Sequence, residues 1–363
     1  MVGIYVHIPF CASRCHYCDF YSTTALNRRT AYVQALKQEI ALRRDEWKEG
    51  VRTIYFGGGT PSQLKAEDIA DLIKRIDAKQ AEEITVEMNP CDVTLDYLQT
   101  LRTAGVNRLS MGIQSFHNER LQLIGRRHNA EQAIRAVSIA REAGIANLSL
   151  DLMYGLPGQT MDEWEEDIDQ LLALHPEHIS TYCLQWEEGT QLTTMMEKGI
   201  VEPVDEEIEM AMYDRLTDRA ATAGYEHYEV SNYALEGYRS KHNSSYWHDV
   251  PYIGLGAAAH SYDRQIRRWN VSDLEQYIAI MADATQTGVI KYDFERLNDT
   301  ERYNEYIMLS LRTEEGIELS KLRNIKAIEQ YLSEGLLEQE NGYIRTTQRG
   351  LHILNRIIEN IIT

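Results

Sequence analysis

No stretch of this 363-residue chain approaches the apolar length that a membrane-spanning helix needs. The first residues, Met1-Val2-Gly3-Ile4-Tyr5-Val6-His7-Ile8, carry neither a basic segment nor a long apolar one, so no secretory signal is expected. Cations are short. Against 56 Asp and Glu stand 37 Lys and Arg, a formal net charge of −19. That deficit argues against nucleic acid, which needs clustered Lys and Arg, and suits a basic partner. Cysteines number five, an odd count with three crowded on one loop, so a reducing compartment is expected and not a disulfide framework. Low-complexity tracts are missing too. These absences lead to the expectation of a soluble, cytoplasmic protein with no integral membrane segment. At 43% hydrophobic residues it can form one large domain and one or two small ones.

The informative residues begin at Phe10-Cys11-Ala12-Ser13-Arg14-Cys15-His16-Tyr17-Cys18-Asp19-Phe20. Three thiolates spaced C-x3-C-x2-C can hold three irons of a cubane cluster and leave the fourth iron open to a small molecule. A structural cluster normally takes four cysteines, and a structural zinc site closes all four positions. Zinc held by these thiolates with His16 or a remote histidine is an alternative. A redox C-x2-C is another, but it leaves the third cysteine unexplained.

Short β-rich runs at 4–8, 53–56, 83–88, 108–111, 148–153 and 178–184 alternate with helical patterns at 30–44, 66–77, 94–103, 130–143 and 161–174. Six such repeats predict a parallel sheet long enough to curve into a barrel. The polar residues gather at the C-terminal ends of its strands, where such barrels carry their sites. They are the three cysteines, Gly57-Gly58-Gly59-Thr60-Pro61, Glu87, Gln114, Asp151 and Tyr182. The glycine run lets backbone approach a ligand, yet it is neither G-x-G-x-x-G nor a P-loop; an ordinary tight turn explains it equally well. Glu87 can bind an amino group or ribose hydroxyls, or can simply cap a strand. Gln114, Arg126 and Asp151 can complete a polar ring, with Arg126 meeting a carboxylate bidentately, unless it belongs to a solvated patch with Arg127.

The texture changes near Gly224. The boundaries expected are a barrel over 1–223, a small α/β extension over 224–294 and a C-terminal module over 295–363. The extension carries His242-Asn243-Ser244-Ser245-Tyr246-Trp247, an imidazole and two aromatics that can serve a porphyrin, or form a buried polar corner. The last module reads as helices followed by a hairpin turning at Asn341-Gly342, resembling a winged helix. With 9 basic and 12 acidic residues over 295–363, it suits packing or partner docking better than DNA.

Together these motifs resemble the radical S-adenosylmethionine superfamily. More narrowly they resemble the family of oxygen-independent coproporphyrinogen III oxidase and the HemW heme chaperones. The likeness rests on Cys11-x3-Cys15-x2-Cys18 with Tyr17 before the last cysteine, the Gly-Gly-Gly-Thr-Pro loop, Arg108-Leu109-Ser110-Met111-Gly112-Ile113-Gln114, Asp151-Leu152-Met153-Tyr154-Gly155-Leu156-Pro157-Gly158 and Tyr252-Ile253-Gly254-Leu255-Gly256-Ala257-Ala258-Ala259-His260-Ser261-Tyr262. It implies an α/β fold: a partial (β/α)6 barrel with a small additional sheet and the C-terminal winged-helix-like module. It implies a 4Fe–4S cluster on Cys11, Cys15 and Cys18. It also implies S-adenosylmethionine bound by Tyr5, Tyr17, Gly58, Gly59, Thr60, Glu87, Gln114, Arg126 and Asp151. Phe20 stands where the oxidase branch has a further cysteine, the first strand starts almost at once, and the 242–247 run fits the H-N-x-x-Y-W pattern of the chaperone branch. The resemblance therefore implies a protein that binds heme, with His242, Tyr246 and Trp247 as candidate contacts, and hands it to an acceptor protein. It also allows a homodimer. The competing expectations are oxidative decarboxylation of coproporphyrinogen III and a zinc-bound regulator using the last module.

Overall fold

The computed structural model describes residues 1–362. Six parallel strands form its centre: β1 (Val2–Ile8), β2 (Val51–Gly58), β3 (Glu83–Met88), β4 (Arg108–Gln114), β5 (Asn147–Tyr154) and β6 (His178–Cys183). Helices Arg29–Arg43, Ala66–Ile76, Leu95–Thr103, Ala130–Glu142 and Met161–Ala173 make the crossovers. Local chemistry sets their ends. Asn129 with Gln132 and Thr160 with Glu163 form reciprocal capping boxes. Gly105 and Gly144 take φ of 102° and 77° just past two helix ends, a region glycine enters without steric cost.

Period-two alternation divides each strand between two environments. Ile4, Val6 and Ile8 are fully buried against the helices, as are Ile54, Phe56, Leu109 and Leu148. The inner positions are polar instead: Tyr5 and His7, Thr53 and Tyr55, Thr85 and Glu87, Arg108 and Ser110, Ser149 and Asp151, His178 and Ser180. A closed barrel of this kind normally fills its interior with branched apolar side chains. This one encloses a polar lumen.

The sheet does not close on itself. It continues on both sides, in the order β12-β11-β10-β9-β1-β2-β3-β4-β5-β6-β8-β7. The added strands are β7 (Glu226–Glu229), β8 (Asn232–Ala234), β9 (Tyr252–Leu255), β10 (His260–Tyr262), β11 (Ile266–Trp269) and β12 (Asp293–Arg296). The stretch that sequence marks as an extension thus supplies both flanks of the large sheet. The separate small sheet lies in the C-terminal part, where β13 (Ile317–Glu318), β14 (Leu337–Glu340) and β15 (Tyr343–Thr346) pair in the order β13-β15-β14. Asn341 and Gly342 both have positive φ, 51° and 85°, as a tight two-residue hairpin requires. Tyr303, Ile307, Ile328, Ile344, Ile357 and Ile358 give this part a core of its own.

Backbone bonds stitch the C-terminal part to the barrel. Val230 N donates to Arg312 O (2.9 Å) and Glu314 N to Tyr228 O (3.1 Å). Glu229, 2% exposed, lies in this seam. Asn232 Nδ2 and Ser231 N donate to its carboxyl, yet burial pushes its pKa up to about 7. A carboxyl whose folded pKa exceeds its unfolded value binds more protons when folded, so stability is greatest below the unfolded pKa and declines as pH rises toward the folded one. Between about pH 4.5 and 7 Glu229 should therefore contribute a decline on the order of 2 kcal/mol, set against the opposite contribution of buried neutral histidines such as His7 and His227. Glu229→Gln should remove that component, so that in urea titrations its stability rises relative to wild type as pH increases across the range. An unchanged slope would refute the assignment.

Candidate functional site

The cysteine loop leaves β1 and returns to lie against it. Cys11 N donates to Thr23 O (2.9 Å), Thr23 N to Pro9 O (2.7 Å) and Cys18 N to Cys15 O (3.3 Å). All three cysteines are free thiols, and burial raises the pKa of Cys11 and Cys18. Polar groups already face the sulfurs. The Thr60 hydroxyl is 3.5 Å from Cys11 Sγ, and Arg126 Nη1 is 3.5 Å from Cys15 Sγ. A backbone group of Phe20 hydrogen-bonds Cys18 and favours its thiolate. His16 is turned elsewhere, with Nδ1 2.8 Å from Leu123 O and its ring packed on Gly125. Among the described residues no three His, Cys, Asp or Glu side chains are grouped so as to hold one metal ion. A cubane takes one thiolate per iron, so this donor set fits a cluster better than a mononuclear zinc site.

The glycine run packs beside that loop with no room to spare. A Cβ on Gly59 would lie 2.8 Å from Pro9 C, 2.9 Å from Phe10 O and 3.0 Å from Ile8 O. A Cβ on Gly58 would lie 2.5 Å from His7 Cε1, and Gly58 has φ of 109°. Gly59 N donates to Ile8 O (2.9 Å) and Gly58 N to Glu87 Oε2 (3.2 Å). Tyr55 Oη donates to the other Glu87 oxygen (2.8 Å). Burial carries the Glu87 pKa up to about 7 and that of Asp151 to about 6; Arg108 and hydrogen bonds from Ser180 and Ser110 restrain Asp151.

Gln114 adopts φ of 71° where the β4–β5 register shifts, a strained setting for a residue with a side chain. Its Oε1 is buried without a partner, as are Nε of Arg126 and both Nε and Nη1 of Arg108. Arg126 also donates to Gly112 O, where a Cβ would lie 2.7 Å from Gln114 Nε2. Its neighbour Arg127 points outward to Asp92 (2.8 Å). Tyr17 is half-buried and electrostatically coupled to Arg126, Cys15, Cys18 and Asp151. Tyr5 Oη lies 3.1 Å from His7 Nδ1. The fold therefore gathers Cys11, Cys15, Cys18, Tyr5, Tyr17, Gly58, Gly59, Thr60, Glu87, Gln114, Arg126 and Asp151 around one mouth. Unpaired acceptors and donors in a buried cradle suit a zwitterionic ligand with ribose hydroxyls.

His242 lies apart from this mouth. It is buried at the other end of the lumen, stacked on Tyr55 with centroids 5.1 Å apart. Nδ1 lies 2.8 Å from Thr53 Oγ1 and Nε2 lies 3.0 Å from Tyr246 Oη, so both ring nitrogens have partners within the chain. Tyr246 packs edge-on against Tyr252 at 4.6 Å, and Trp247 is half-buried beside it. Sequence reading missed Arg108, 1% exposed in the lumen, and Tyr55, which holds Glu87. The signal was available as polar residues recurring every second position in otherwise apolar strands.

Comparison with known proteins matches the Radical SAM superfamily over residues 5–171 and the HemN C-terminal domain over residues 297–353. The heme chaperone HemW of Lactococcus lactis is 34% identical over 99% of this chain and 96% of its own length. That of Bacillus subtilis is 38% identical over 87% of this chain and 85% of its own. The fold matches the Escherichia coli coproporphyrinogen III oxidase HemN, a radical SAM enzyme, with a TM-score of 0.84 at 23% identity. That match covers 100% of this chain and 90% of the other.

Gly59→Ala tests the close approach. Its Cβ would meet backbone atoms that cannot step aside, so the cost should be on the order of 1–3 kcal/mol. Thermal unfolding, with iron and sulfide analysis after anaerobic reconstitution, should show a lower melting temperature and reduced cluster loading. Wild-type values in both would refute the packing argument.

Proposed function

Because the chain belongs to the radical SAM superfamily and, within it, to the HemW heme-chaperone family, we propose that it binds heme and passes it to an acceptor protein, with a 4Fe–4S cluster and S-adenosylmethionine as its resident groups. The observation that carries this reading is the 34% identity to a named heme chaperone over 99% of the chain. Phe20 supports it, a 68% exposed aromatic where the oxidase pattern has a cysteine. Likeness to the oxidase itself, at 23% identity, concerns the fold.

In this proposal Cys11, Cys15 and Cys18 hold three irons of the cluster. When bound and reduced, that cluster supplies one electron to a sulfonium, and the protein's part is to place and shield it. Arg126 brings positive charge to Cys15 Sγ and keeps Nε free for the ligand's carboxylate. Gln114 Oε1 is free to accept from its amino group. Glu87, held by Tyr55 and the Gly58 amide, would take the ribose hydroxyls. Asp151 and Tyr5 would line the remaining walls, with Tyr17, Gly58, Gly59 and Thr60 on the cluster side. A heme-acceptor protein, self-association and a cytoplasmic setting belong to the same proposal. No helix among the described residues is long and apolar enough to cross a membrane.

Heme titration of anaerobically purified protein should give saturable binding with a shifted Soret band; absence of specific binding would overturn the reading. Coproporphyrinogen III supplied with reductant and S-adenosylmethionine should remain unconverted, and turnover by cluster-loaded protein would favour the oxidase. Glu87→Gln should weaken S-adenosylmethionine binding by about 10- to 100-fold while iron content holds, since a hydrogen bond to a charged group contributes about 1.5–3 kcal/mol. Unchanged affinity in equilibrium dialysis would remove Glu87 from that site.

A further inference from the structure

Of the 11 histidines in the chain, only His175 and His260 have rings that make no hydrogen bond or ion pair among the described residues. His175 sits in a turn after the helix Met161–Ala173, at the strands' N-terminal end and remote from the cysteine loop. His260 differs in two respects. Its imidazole is solvent-exposed, and it stacks on Trp269 with centroids 5.6 Å apart and planes 24° apart. It is also on the face of the sheet that lines the lumen.

That placement follows from strand register. Tyr5 pairs with Gly254 across β1 and β9, and Tyr262 pairs with Tyr252 across β10 and β9. Tyr252 and Tyr262 are in ring contact at 6.1 Å, so the two strands present these side chains on one face. His260, two residues from Tyr262, shares that face and pairs with Trp269 on β11. The polar lumen thus continues sideways, past the unclosed edge of the barrel, onto a shelf of His260, Trp269, Tyr262 and Arg267. Between Tyr5 and His260 stands Gly254, and the backbone of His260 packs into the space that a side chain there would take, so only glycine lets β10 lie this close to β9.

We propose that His260 is the axial ligand that holds heme iron, with the ligand being a planar iron porphyrin that lies on this shelf. The proposal rests on the heme-carrying reading above and assigns the iron to a residue outside the H-N-x-x-Y-W run. A neutral imidazole with an unspent nitrogen can ligate ferric or ferrous heme iron. Trp269 locks the ring plane and offers apolar surface to the macrocycle edge. Arg267 lies over the Tyr262 ring at 5.6 Å and pairs with Glu295 and Glu305, so it keeps the shelf from repelling the propionates without adding an unpaired charge. His242, with both nitrogens committed, instead braces the closed end of the lumen.

The test is heme titration of the full-length protein followed by visible absorption, using wild type, His260→Ala, His260→Gln and His242→Ala. Thermal unfolding reports folding of each. Wild type should bind with a histidine-ligated Soret band. Both His260 variants should keep the wild-type melting temperature, lose that band and bind heme at least tenfold more weakly; free imidazole should restore the band to His260→Ala. His242→Ala should melt lower but retain the band. If wild type binds no heme, the heme-carrying reading fails. If wild type binds and both His260 variants match it in spectrum and affinity, or only His242→Ala loses the band, the His260 assignment fails while the heme-carrying reading stands.

Discussion

Everything at the mouth of the barrel depends on backbone contact between the glycine run and the end of β1. Gly59 N reaches Ile8 O at 2.9 Å, and the three atoms closest to its absent Cβ all belong to backbone. That contact sets where Thr60 meets Cys11, and through the Gly58 amide it sets where Glu87 stands. A single interatomic constraint therefore couples the thiol loop to the acid on β3. A side chain on Gly59 would have to separate two strands that are parallel neighbours in the sheet, so no local adjustment relieves it.

A second constraint is the cost of a polar interior. Glu87 and Asp151 are half-buried carboxyls inside the lumen, and desolvation raises both pKa values. Arg108 is the compensating cation, electrostatically favourable to both acids, and its guanidinium nitrogens Nε and Nη1 find no partner among the described residues. An apolar filling would be more stable, since desolvating charge seldom yields net stability. The lumen is thus shaped for a ligand at the expense of packing, and the layers of branched residues outside the strands have to supply the stability that the inside forgoes.

Much of this was legible in the residues. All six central strands and the five crossover helices begin and end within a few residues of their expected bounds, because alternation, caps and glycines are local signals. The Asn341-Gly342 hairpin was legible for the same reason. The flanking strands were not, since β9 pairs with β1 across some 250 residues and nothing local says which edge it will find. The surroundings of His242 were not legible for the same reason. Its run has the composition of a heme contact, and the register that buries it against Thr53 and Tyr55 is non-local. Arg126 and Arg127, adjacent and alike in sequence, are separated only by the turn that sends one to Cys15 and the other to Asp92.

The unclosed edge gives these pieces a common logic. A barrel sealed between β1 and β6 would confine its chemistry to one mouth. Here β9, β10 and β11 continue β1 outward, and each register row of the lumen becomes a row on an open shelf. The row that contains Tyr55 and Tyr5 reaches Gly254, whose missing side chain leaves room for the His260 backbone, and His260 in turn pairs with Trp269. The mouth at the cysteine loop and the strands that carry His260 therefore belong to one continuous sheet, in which β1 is also the strand against which the glycine run is pressed.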